Sequence, residues 1–236
     1  MVDAGTAQLD AGPPHQQRQD DATPRQRRHT ATRDEILDAA RGLMLEVGLE
    51  NVSLRAIARR SGFSPASLYT YFASRDNLLV ALTEQSLANL RACLEAVSRD
   101  LPADERVVQY GLAYMRFGAE NPADLAAILA YSAMSLSVAV DTSLGLGAAH
   151  LIGDTFREGV EAGIFPDGPL PTQAMAYSTW ALVHGMTTLR NVDLSWVSDD
   201  IGADPASVLR AHVASLKSSD VKGRDVEDRD HKSREA

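Results

Sequence analysis

From about Thr32 to Lys217 the apolar residues recur every three or four positions, the spacing that lines one face of a helix. No run alternates apolar and polar residues between turn signals, as a half-buried strand would. The pattern predicts an all-α chain. Thr32 with Glu35 reads as a capping box, and Ile36, Ala40, Leu43 and Val47 share a face until Gly48, which predicts a first helix over 33–47. Ser53 caps a second helix over 54–60, with Leu54, Ile57 and Ala58 inward, Arg55, Arg59 and Arg60 outward, and Gly62 as its left-handed stop. Ser64 caps a third, with Pro65 at the first helical position, where a missing N–H costs nothing, and Leu68 and Phe72 one turn apart on the buried side. Two short helices joined by a tight turn and braced by a third form a helix-turn-helix, whose last helix suits the DNA major groove.

A fourth helix running to about Ser98 leads into a larger helical body, where Pro102, Pro122, Pro166, Pro171 and Pro205 mark boundaries and six helices are expected. Four regions result: a disordered tail over 1–31, the head over 32–76, the body over 77–217 and a disordered, charged tail over 218–236. The weakly polar run from Leu125 to Ala139 is shorter than the roughly 20 residues a bilayer requires, so no membrane contact is expected.

Charge sharpens this division. The 236 residues carry a net −9, yet Arg25 to Arg75 holds nine arginines against five acids, a local +4 that leaves −13 elsewhere. A basic module on an acidic body is the asymmetry expected when one part meets a polyanion. The lone cysteine, Cys93, permits no intrachain disulfide, and the first twenty residues lack the apolar block of a secretory signal, so a cytoplasmic protein is expected.

The stretch 36–82 resembles the DNA-binding domain of TetR-type (tetracycline-repressor-like) transcriptional regulators. The landmarks are Ala39-Ala40, Gly48, Ser53 in place of the usual Thr, Ile57-Ala58, Gly62, and Leu68-Tyr69 with Tyr71-Phe72 before a new helix. Ser61, Phe63 and Pro65-Ala66 depart from the commoner residues there. Farther on, Trp180, His184 and Gly185 resemble the Trp-His-Gly signature of one TetR subgroup. The resemblance implies a DNA-binding regulator, most simply a repressor, that acts as a homodimer on a palindromic double-stranded operator and answers to a small-molecule effector.

On that reading Pro65, Ala66, Ser67 and Thr70 are small enough for the groove, and Tyr69 and Tyr71 offer hydroxyls or ring faces. Arg55 matches a family position that approaches DNA, Ser53 and Ser64 cap helices whose amides can meet phosphate, and Arg75 opens the next helix beside the same backbone. No Arg, Lys, Asn or Gln occurs between Ser64 and Phe72, so DNA shape must contribute, with the Arg25 to Arg33 arm a candidate for the minor groove.

In the body, Ser178, Ala181 and Gly185 on one helical face, with Gly153 on the preceding helix, suit close packing between two subunits. Tyr110, Tyr114, Phe117, Tyr131, Met134, Phe156, Trp180 and His184 are candidates for an apolar effector pocket. His150, Asp154 and His184 lack a fourth ligand for a metal, and none of the phosphate-loop, dinucleotide, nucleophile-elbow or Cys-x-x-Cys motifs occurs, so neither cofactor nor enzyme activity is expected. The competing class is a helical ligand-sensing or protein-interaction module that has lost specific DNA binding.

Overall fold

A computed structural model describes residues 23–133, 142–168, 170–189 and 204–218, and every regular element among them is helical. The chain divides into two compact units, 1–75 and 76–236.

The first unit holds α1 (Pro24–Val47), a 3₁₀ turn (Leu49–Asn51), α2 (Leu54–Ser61) and α3 (Pro65–Tyr71). Helix α1 begins nine residues before its expected start. Thr23 Oγ1 accepts from the Gln26 amide at 3.3 Å while Gln26 Oε1 accepts from the Thr23 amide at 2.8 Å, and Pro24 occupies the first turn. This capping box lies upstream of Thr32, and nothing between them breaks a helix, so Thr32 is an interior residue and residues 24–31 belong to the ordered head. The buried face of α1 comprises Ile36, Leu37, Ala40, Leu43 and Met44; Val47, the last residue of the helix, is 41% exposed instead of inward. Leu54, Ile57 and Ala58 of α2 and Leu68 of α3 complete that small core. Gly62 ends α2 at φ 74°, ψ 5°, a conformation only glycine adopts without strain.

The second unit begins in α4 (Arg75–Glu95) and continues through α5 (Ala103–Glu120), α6 (Pro122–Ala133), α7 (Thr142–Glu161), α8 (Thr172–Leu189) and α9 (Pro205–Lys217). Five described helices thus follow α4, where six were expected. Helix α5 is central, packing against α6, α7, α8 and α9. Tyr110, Tyr114 and Phe117 of α5, Phe156 of α7, Met175 and Val183 of α8 and Leu209 of α9 are all buried, each contributing about 1.5–3 kcal/mol of apolar burial. Gly111 permits this closeness: a Cβ there would stand 2.8 Å from Leu209 Cδ1 and 3.0 Å from Val183 Cγ2. A polar joint links α4 to α6, where Ser86 Oγ donates to Asp124 Oδ1 at 2.6 Å and Asn89 Nδ2 to Oδ2 at 3.4 Å. No described helix is long and apolar enough to cross a membrane.

Candidate nucleic-acid interface and effector cavity

Helix α3 is fixed from one side only. Leu68 is fully buried and Phe72, 3% exposed, closes the helix by donating its amide to the Leu68 carbonyl at 2.9 Å. Ser64 Oγ accepts from the Ser67 amide at 3.1 Å, and Ser53 Oγ caps α2 in the same way from Ala56 at 3.2 Å. With those anchors inward, Pro65, Ala66, Thr70 and Tyr69, the last 56% exposed, stand outward, and Ser67 and Tyr71 are half-buried at the margin. Arg55 is exposed on α2. The head therefore presents the sequence-derived contact residues together, with one exception.

That exception is Arg75. Its Nε donates to the Val52 carbonyl at 2.6 Å and its Nη2 to the Leu49 carbonyl at 2.7 Å, so this half-buried guanidinium clamps the 3₁₀ turn to the start of α4. It braces the head through these two bonds. The Arg25 to Arg33 segment also differs from expectation: it is helix, not an extended arm. A helix 10–12 Å across with its side chains does not thread a minor groove about 6 Å wide. His29 stacks on Tyr71 with ring centroids 4.7 Å apart, and the Arg33 guanidinium lies 5.3 Å from the Phe72 ring centroid.

In the body, Leu94 of α4, Val107, Tyr110, Gly111 and Tyr114 of α5 and Ile152 of α7 line a narrow, partly open cavity of about 20 Å³. Thr179, Trp180 and Val183 of α8 complete the wall, and none of these side chains is charged. Tyr110, Tyr114 and Trp180, three of the residues named as effector-pocket candidates, line this cavity. His184 adjoins them: its Nδ1 is 2.9 Å from the Tyr114 hydroxyl and its ring centroid 5.0 Å from that of Trp180. Phe117 and Phe156 do not line the cavity; both are core, Phe156 against Phe165 at 4.9 Å. The Tyr131 side chain and Met134 lie outside the described residues. Burial pushes the Tyr114 phenol up to about 12 and lowers His184, so both are neutral near pH 7. Leu94, Val107, Gly111, Ile152, Thr179 and Val183 went unnoticed in the sequence, because small and aliphatic wall residues share the helical spacing of ordinary core.

The outer face of α8 leaves Tyr177 68% and Trp180 44% exposed, with Ala181 exposed beside them. No side chain comes within 4 Å of where a Cβ would stand on Gly185 or Gly153. Ser178 is turned toward α9, its Oγ 3.4 Å from His212 Nε2.

Residues 36–82 match the family described as bacterial regulatory proteins, tetR family. The HTH-type transcriptional regulator Mb1846 of Mycobacterium bovis is 29% identical over 132 residues, which are 55% of this chain and 56% of that protein. The HTH-type transcriptional regulator UidR of Escherichia coli K12 is 36% identical over 70 residues, 28% of this chain and 36% of UidR. The chain therefore spans about half the length of the first relative and about a third of the second. A TetR family transcription regulator from Marinobacter aquaeolei VT8 superposes with a TM-score of 0.65 at 18% identity, over 80% of this chain and 97% of that one. The chain carries a tetR-family helix-turn-helix over residues 36–82 on the all-helical fold of TetR-type regulators.

Proposed function

We propose that the protein is a dimeric, ligand-responsive transcriptional repressor that occupies a palindromic operator. The observation that carries this reading is α3, anchored by Leu68 and Phe72 and presenting Pro65, Ala66, Tyr69 and Thr70 outward. Small side chains let the helix approach base edges, while the Tyr69 hydroxyl and Arg55 supply phosphate or base contacts. Without long amide or guanidinium side chains on α3, selectivity rests on Arg55, the tyrosines and the local shape of the duplex.

Two heads are needed because half-sites recur one helical turn apart, about 34–36 Å. The uncovered face of α8, around Tyr177, Trp180 and Ala181, supplies the surface for a second copy. Helix α8 also walls the cavity through Thr179 and Val183, so a molecule that displaces this helix alters the subunit junction. The neutral, apolar lining suits an uncharged effector, which has to widen this narrow space to enter, and release from DNA requires that it bind the two states unequally. A dimer seated on an operator blocks transcription by occupancy alone.

Selection of fragments from random genomic DNA by the purified full chain tests the reading. Enrichment of one palindrome supports it; no enrichment even at low salt would favour a sensing module without DNA specificity.

A further inference from the structure

The upstream portion of α1 makes a surface that the helix-turn-helix itself does not require. Residues 24–33 add about 15 Å of helix before the buried stretch that starts at Ile36. They include Arg25, Arg27, Arg28 and Arg33 and no acidic residue, and the first turn contains none. The extension is also attached to the recognition helix. His29 and Arg33, one turn apart on one face, meet Tyr71 and Phe72 through the ring contact and the cation–π contact. Arg25 lies one further turn upstream on the same face as His29, and Arg28 borders that face; both are exposed.

We propose that Arg25 and Arg28 form a second, backbone-reading element of the DNA interface, a rigid basic flank that grips the phosphates bordering the groove entered by α3. The inference rests on the proposed DNA-binding role of the head and extends it. An element packed against the margin of a helix lying in the major groove is beside the strand that walls that groove, where about half or more of protein–DNA hydrogen bonds are made. The partner follows from charge and continuity: the segment holds four arginines in ten residues, and its exposed Arg25 and Arg28 extend from the face that His29 and Arg33 fasten to the end of α3, a cationic strip suited to a polyanion. The helical state of the segment sets the manner of contact. A minor-groove arm would read A·T against G·C, whereas side chains on a rigid helix meet the backbone and add affinity without sequence preference.

The test measures binding of the full chain, wild type and Arg25→Gln/Arg28→Gln, across a salt titration. Two duplexes serve as probes: the palindrome recovered by genomic selection, or a self-complementary sequence if none is recovered, and a random sequence of equal length. Two arginines on each of two heads touch about four phosphates, so the variant should lose about 3–4 from the slope of log K against log salt. The loss should be the same on both duplexes, and Arg25→Lys/Arg28→Lys should restore the slope. An unchanged slope in the glutamine variant, at wild-type helicity, overturns the flank while leaving the α3 reading intact. Loss of affinity confined to palindromes with A·T flanks also overturns it, in favour of base reading. If the wild type shows no salt-dependent binding to either duplex, both proposals fall. Ethylation interference supplies a readout independent of protein variants: phosphates outside the α3 footprint should block the wild type, and interference limited to that footprint would contradict the flank.

Discussion

Arg75 Nη2 reaches back 26 residues to the Leu49 carbonyl at 2.7 Å, and the same guanidinium holds the Val52 carbonyl at 2.6 Å through Nε. These charge-assisted bonds secure the turn between α1 and α2. Arg75→Met should cost the head about 2–3 kcal/mol, since both carbonyls lose a charged donor. Hydrogen exchange of α1 to α3 amides checks this: their protection should fall while that of α5 to α9 holds. The salt slope of DNA binding should change little, since this guanidinium is engaged with two backbone carbonyls.

Leu68 and Tyr69 are sequence neighbours with opposite duties. Leu68→Ala empties a fully buried site and should destabilise the head by about 2–5 kcal/mol. Tyr69→Ala should leave the melting curve nearly unchanged and weaken operator binding by about 1–3 kcal/mol. Arg55→Ala should behave like Tyr69→Ala. Calorimetry beside a salt-controlled gel-shift titration separates the two classes, and equal loss of stability in both would refute the outward placement of Tyr69.

The uncovered strip of α8 predicts the behaviour of Ala181→Glu. In the proposed twofold junction a carboxylate there would face its own symmetry mate, which two buried like charges do not tolerate. Sedimentation should give a folded monomer with wild-type helicity and operator affinity reduced at least about tenfold. A dimer surviving this change would place the subunit junction elsewhere.

Acid should loosen the body in two separate steps. Burial lowers His184 and His212, so the folded rings resist protonation that the unfolded chain accepts, and stability is full above about pH 6.5 and is lost as pH falls from there through the lower folded-state values. The second step lies lower. A hydrogen bond from Lys217 holds Asp104 below its ordinary 3.8, and bonds from Gln109 and Arg210 hold Glu105 below 4.5. Their contribution is present above the ordinary carboxylate range and lost beneath it. Melting temperature against pH should show both declines. His212→Asn should shrink the upper one and Lys217→Met the lower; a single decline below pH 4 would contradict the histidine assignment.

The head was largely legible in the sequence because its signals are local. Ser53 with Ala56, Ser64 with Ser67, and the left-handed Gly62 each involve residues within a turn of one another. The start of α1 was misplaced because Thr32 and Glu35 imitate a capping box, while the working one pairs Thr23 with Gln26 upstream of a stretch that looked like tail. The bracing role of Arg75 was not legible, since its partners lie more than twenty residues away and sequence spacing does not encode which carbonyls a turn leaves facing inward. The cavity was legible only through its aromatic residues. Tyr110 and Trp180 attract notice by type, but Val107 and Ile152 acquire their role when α5, α7 and α8 come together.

The central claim is that the outward face of α3 distinguishes one DNA sequence from others, and the specificity ratio measures it most directly. Affinities of the full chain for the selected palindrome and for a random duplex of equal length, taken at one salt concentration near physiological, give that ratio. The account predicts a preference of at least about a thousandfold, collapsing toward unity when Tyr69 and Thr70 are both replaced by alanine. Equal affinity of the wild type for the two duplexes would contradict it.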